Sequence, residues 1–174
     1  TAPSTRMGKG YDAQLVERIQ QACGKRATTA ATAMLCAMEA YNIKKVVIAA
    51  PWSTATNVWV KAFLEDHGVE VLQHKALEVT RNNDIGRMPA QTAYDLGLET
   101  DLPQADAVFL ACGNWWTASI VADLEAKVQK PVLTTNNVAL WASLQMMGVR
   151  EKVAGFGRLL SEMPPLTHHE RATA

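Results

Sequence analysis

VFLACGNWWTASIVADLEAK, residues 108–127, changes pattern halfway along. Val108–Ala111 is a continuous apolar run of the kind found in a strand buried on both faces. Cys112-Gly113-Asn114 interrupts it, and from Ser119 to Val128 apolar residues recur at helical spacing. A strand that stops at a glycine turn and hands over to a helix is half of a βαβ crossover. It also raises a chemical question. Either a strand happens to end on a small buried thiol, or the turn exists to present Cys112.

The same alternation extends in both directions. KVVIAA (45–50), VEVLQHKALEV (69–79) and PVLT (131–134) read as the other strands. Helical spacing covers Tyr11–Cys23, closed by Gly24, and Thr32–Tyr41, which is rich in Ala and Met. Further helices are predicted from a Thr54 or Thr56 cap to Gly68, over Ala90–Leu98 behind Pro89, and over Val138–Met147 before Gly148. TRNNDIGRMPA (80–90) reads as a polar loop, and VAGFGRLL (153–160) as a last apolar piece. This order predicts an α/β fold: a Rossmann-like lobe with a four-stranded parallel sheet flanked by helices, joined by right-handed crossovers. Ligands of such sheets bind beyond the carboxyl ends of the strands. PWST (51–54), TRNND (80–84), CGNWWT (112–117) and TTNN (134–137) fall there.

Composition narrows the partners. Of the 174 residues 48% are apolar and 20% charged, which suits a folded core. Seventeen basic residues balance seventeen acidic ones, so no overall field draws nucleic acid or an anionic membrane. No apolar run reaches the roughly 18 residues of a spanning helix, and no secretory signal opens the chain. Three cysteines (Cys23, Cys36, Cys112), without metal-ligand spacing, argue for a reducing cytoplasm rather than a disulfide framework. The GxG of GFGRLL lacks the strand–loop–helix setting of a dinucleotide site. Neither a metal nor a cofactor is expected.

Among the strand-end residues, Cys112 before a helix N-terminus is placed to have a lowered thiol pKa, and Gly113 to bring a backbone N–H close to an oxyanion. On position alone, burial and function are equally good readings of Cys112. Cys36, in the Ala/Met helix, reads as core, and Cys23 as inert. TTNN offers groups for a carboxylate, although Asn136 as a helix cap is the simpler reading. Asn82, Asn83 and Arg87 could grip an anion or simply be solvated. Of the paired Trp115 and Trp116, one should wall a pocket while the other packs. His67, His74, His168 and His169 read as structural or solvated.

Several stretches together resemble the Asp/Glu/hydantoin racemase superfamily, in its maleate cis–trans isomerase and arylmalonate decarboxylase branch. They are ATTAATAMLCAMEAYNIKKVVIAAPW (27–52), NNDIGRMP (82–89), ADAVFLACGNW (105–115), KPVLTTNNVALWA (130–142) and GFGRLL (155–160). The resemblance implies two similar lobes with a cofactor-independent site between them, each giving one strand-end position, usually cysteine. Cys112 matches the second position, and Thr1 and Ala2 match the residues after the first. It therefore implies that 1–29 is a remnant of the N-terminal lobe and 30–137 the C-terminal α/β lobe. Residues 138–162 would return toward the N-terminal lobe and 163–174 form a tail, with most of the first lobe upstream.

The implied activity is isomerisation or racemisation of a small carboxylic acid, with Cys112 as acid/base and Thr1, Ala2, Asn83, Gly113 and Asn114 holding substrate oxygens. Trp52 stands where this branch carries a substrate-binding tyrosine; an indole can donate one N–H but cannot accept. Decarboxylation of a substituted malonate by the same cysteine is the enzymatic alternative, and a non-catalytic binding lobe the non-enzymatic one. The partner expected is a small carboxylate substrate, with neither nucleic acid nor membrane, and a homo-oligomer is left open.

Overall fold

The computed structural model describes residues 2–166. Four strands, β1 (Lys45–Ala50), β2 (Glu70–Ala76), β3 (Ala107–Leu110) and β4 (Val132–Thr134), form one sheet in the order β2-β1-β3-β4. Every pairing is parallel, with Ile48 opposite His74 on one side and Phe109 on the other. β1 to β2 runs one way across the sheet and β3 to β4 the other, so the winding reverses between β1 and β3.

The helices are α1 (Ala2–Thr5), α2 (Tyr11–Cys23), α3 (Ala30–Ala40), α4 (Thr54–Asp66) and α5 (Asn82–Ile85), then α6 (Ala90–Thr100), α7 (Val121–Val128), α8 (Thr135–Met146) and α9 (Arg158–Glu162). Strand periodicity divides the core. Val46, Ile48, Ala50, Phe109 and Leu133 point into a layer with Met34 and Met38 of α3, Phe63 of α4 and Trp141 of α8. Val47, Ala49, Val108, Leu110 and Val132 point into the opposite layer, with Ala93 and Leu96 of α6 and Leu124 of α7. β1 and β3 are therefore apolar at every inner position because both faces are covered.

The expected elements stand, with three differences. α5 is a single helical turn inside the segment read as a loop; Arg81 and Arg87 flank Asp84 there, at 3.4 and 3.8 Å. Neither Thr54 nor Thr56 caps α4: Ser53 holds the N-cap position, and the Glu78 carboxylate accepts the Thr54 N–H from outside the helix. α8 begins at Thr135, three residues before its expected start. The boundary drawn between 137 and 138 thus falls inside one helix, and Trp141, Leu159 and Leu160 belong to the same core layer as α3 and the sheet. Thr1 and most of the expected tail, including His168 and His169, lie outside the described residues. Among the described residues no helix is long and apolar enough to cross a membrane.

Candidate active site

Cys112 follows β3 at the reversal of the winding, where parallel sheets open a crevice. Its backbone has φ 151°, a conformation that side-chain-bearing residues rarely adopt. Such a residue costs about 1–3 kcal/mol and persists only where its surroundings over-determine it, which happens most at functional sites. Two contacts hold it. Its N–H donates to the Thr135 hydroxyl at the start of α8, at 3.1 Å, and its carbonyl accepts the Trp115 N–H at 3.4 Å. Gly113, by contrast, has no positive φ, and a Cβ there would meet Asn136 and Thr135 at ordinary contact distances of 3.5 Å. The strained residue of this turn is the cysteine and not the glycine.

The thiol does not have the lowered pKa expected from a helix start. α7 begins nine residues later, behind a turn and a short 3-10 segment (Ala118–Ile120), so its dipole is not adjacent. Cys112 is 5% exposed. Burial pushes its pKa above the ordinary cysteine value, against the opposing pull of the nearby Asn114 and Trp115 backbone N–H groups. The group is thus a protonated thiol at neutral pH with two donors in place for the thiolate.

A cleft of about 460 Å³ begins at the next residue, walled by Gly113, Asn114, Trp116, Thr117, Asn136 and Phe156, among others; Cys112 itself is not one of its walls. Both tryptophans line the cleft, but unequally: Trp115 is buried and donates its indole N–H to Thr92, whereas Trp116 is 67% exposed. Asn136 is not the cap of α8. Thr134 and Asn137 exchange side-chain-to-backbone hydrogen bonds in a capping box, which leaves the exposed Asn136 on the cleft wall. Reading T-x-x-N at 134–137 as the box would have assigned Asn136 correctly from sequence. Thr117 and Phe156 were missed; Thr117 has a buried hydroxyl that makes no hydrogen bond within the described residues.

Of the residues predicted to contact substrate, Gly113 and Asn114 line the cleft. The Asn114 side chain is already committed, donating to the Asn82 carbonyl at 2.7 Å across Gly86, so it fastens the 80–89 segment to the Cys112 turn. Trp52, Asn83 and Ala2 are not among the cleft walls. The single donor of Trp52 goes inward to the Asn57 amide at 2.7 Å, and Asn57, fully buried, donates on to Lys75. Asn83 is exposed on α5, and Ala2 opens α1. No three His, Cys, Asp or Glu side chains converge as a metal set among the described residues.

A family model described as arylmalonate decarboxylase matches residues 1–160. The chain belongs to the arylmalonate decarboxylase family. A maleate isomerase from Pseudomonas putida is 30% identical over 161 residues, covering 89% of this chain and 64% of the relative. An arylmalonate decarboxylase from Bordetella bronchiseptica is 26% identical over 165 residues, covering 93% and 69%. The crystal structure of a liganded arylmalonate decarboxylase, with a glycine-to-cysteine and a cysteine-to-serine substitution, superposes with a TM-score of 0.89. It is 25% identical and covers 93% of this chain and 70% of that one. The four-stranded parallel sheet flanked by helices is the fold of this family. The chain spans roughly two thirds of the length of these relatives.

Proposed function

We propose that this chain carries the Cys112 half of a cofactor-independent isomerase acting on a small carboxylic acid, similar to maleate isomerase. The observation that carries the reading is the strained backbone at Cys112, held beside a cleft at the reversal of the sheet. A thiol kept protonated by burial is suited to deliver a proton to the carbanion left when a nucleophile at the first lobe's strand-end position adds to the substrate double bond, a bond that breaks again once the thiolate has taken the proton back. The Asn114 and Trp115 N–H groups then stabilise the thiolate that forms, which can take the proton back after rotation about the carbon–carbon bond. Gly113 and Asn136, adjacent on the cleft wall, supply polar contacts to carboxylate oxygens, with Thr1 and Ala2 adding contacts as the family resemblance implies. The 30% identity to a maleate isomerase supports this reaction.

A second reading, decarboxylation of a substituted malonate with Cys112 protonating the enediolate, is favoured by the exposed aromatic walls Trp116 and Phe156. The products separate the two. This chain alone is expected to be inactive, so the test uses the full-length protein with its first lobe, which should convert maleate to fumarate. Release of CO₂ from phenylmalonate, with maleate untouched, would overturn the isomerase in favour of the decarboxylase.

A further inference from the structure

GFGRLL (155–160) matches no phosphate-binding pattern, yet its geometry is built. Gly155 and Gly157 both have φ 88°, a left-handed conformation natural to glycine, and Phe156 stands between them. The segment is anchored on both sides. Val153 N–H donates to the Leu160 carbonyl at 2.8 Å, and Leu159 and Leu160 are buried in the core layer of α3 and α8. At Gly157 the backbone lies so close to α7 that a Cβ would stand 2.4 Å from the Val121 side chain. The buried Glu125 carboxylate completes the anchor: one oxygen accepts the Arg158 N–H at 2.7 Å and the other the Val132 N–H at 2.9 Å. A carboxylate on α7 thereby joins the first residue of β4 to the residue after Gly157.

What this anchored loop holds out is an aromatic ring. Phe156 is 43% exposed although its neighbours on both sides are fixed. It walls the cleft beside Cys112 and also a smaller apolar hollow of about 180 Å³, which includes Leu140 and Val153. Trp116 offers the cleft a second exposed ring. One exposed phenylalanine is ordinary, but two exposed rings, Phe156 and Trp116, on the walls of one cleft form an apolar patch of the kind that binds ligands.

We infer that Phe156 is a specificity-determining residue of this site, contacting the non-reacting substituent of the substrate, and that Glu125 is its positioning residue. The inference rests on the placement of the active site beside Cys112. The ring gives acids with a flat apolar substituent an added contact that maleate does not use, because aromatic contacts of this kind contribute about 0.5–1.5 kcal/mol, or roughly two- to twelvefold in affinity.

The test compares phenylmalonate with maleate as ligands of the purified protein, using KM where either acid is turned over and tryptophan fluorescence titration in every case. Phe156→Ala should weaken phenylmalonate about fivefold or more and maleate less than twofold, with an unchanged circular dichroism spectrum. Glu125→Gln retains one acceptor oxygen but turns an amide N–H₂ toward a backbone N–H. It should shift the same ratio in the same direction at unchanged kcat, and the double variant should go no further than Phe156→Ala alone. Equal shifts for both acids, no shift, or binding of neither acid would overturn the inference. If neither acid is turned over but both bind with this dependence on Phe156, the reaction is wrong and the inference about Phe156 holds.

Discussion

Cys36 and Cys112 are both buried thiols with apolar neighbours, 0% and 5% exposed, and burial alone would class them together. Their backbones separate them. Cys36 sits in the middle of α3, in ordinary helical geometry, among Ala33, Met34 and Ala37 on the sheet. Cys112 has φ 151°, in a turn tied to α8 by one hydrogen bond and opening on a cleft. One cysteine is a small apolar residue filling space. The other is a residue that the fold maintains at a cost, and the comparison teaches that conformation tells two thiols apart where accessibility does not.

The pair is broken most decisively by alanine. Cys112→Ala is expected to lower turnover of the native substrate by at least ~10³-fold, as for loss of a proton-transferring group, with the fold retained. Cys36→Ala should spare turnover and lower stability by about 1 kcal/mol, near the usual effect of a point mutation. Activity assays beside urea melts decide this; an inactive Cys36 variant next to an active Cys112 variant would reverse the assignment.

A finer contrast asks which residue each backbone prefers, with stability as the readout. At position 112 glycine should be more stable than alanine by about 1 kcal/mol or more, because it relieves the φ of 151°. At position 36 the order should invert, glycine falling about 1 kcal/mol below alanine in a helix interior. If both sites prefer alanine, the turn at Cys112 is not strained.

The smallest effect concerns reactivity. Alkylation proceeds through the thiolate, so a thiol whose pKa is raised by burial should label slowly at neutral pH and accelerate only above the ordinary cysteine range of about 8.5. With iodoacetamide at pH 7.5 the exposed Cys23 should therefore label first, then Cys112, and Cys36 only on unfolding. Mass spectrometry of timed quenches gives the order, and fast neutral-pH labelling of Cys112 would contradict its burial.

Much of this was legible in the residues. Buried parallel strands announce themselves as unbroken apolar runs, so β1, β3 and the α/β class follow from KVVIAA and AVFLA. Cys112 and Gly113 followed from their place at a strand end. The remainder depended on distances between segments remote in sequence. No local pattern says that the Trp52 indole turns to Asn57, that Asn114 reaches Asn82, or that burial outweighs two N–H donors at the Cys112 sulfur. Phe156 escaped for the same reason: it enters the cleft through Glu125, thirty residues earlier in the chain.

The capping box of α8 has a consequence for laboratory evolution. Thr134 and Asn137 satisfy the helix start between them, so the side chain at 136 is not needed for folding, although it forms part of the cleft wall. Such a position is mutationally cheap. A saturation library at Asn136 should keep nearly all members folded while altering the shape and polarity next to the reacting thiol, so selection there would sort variants by substrate preference rather than by survival of the fold.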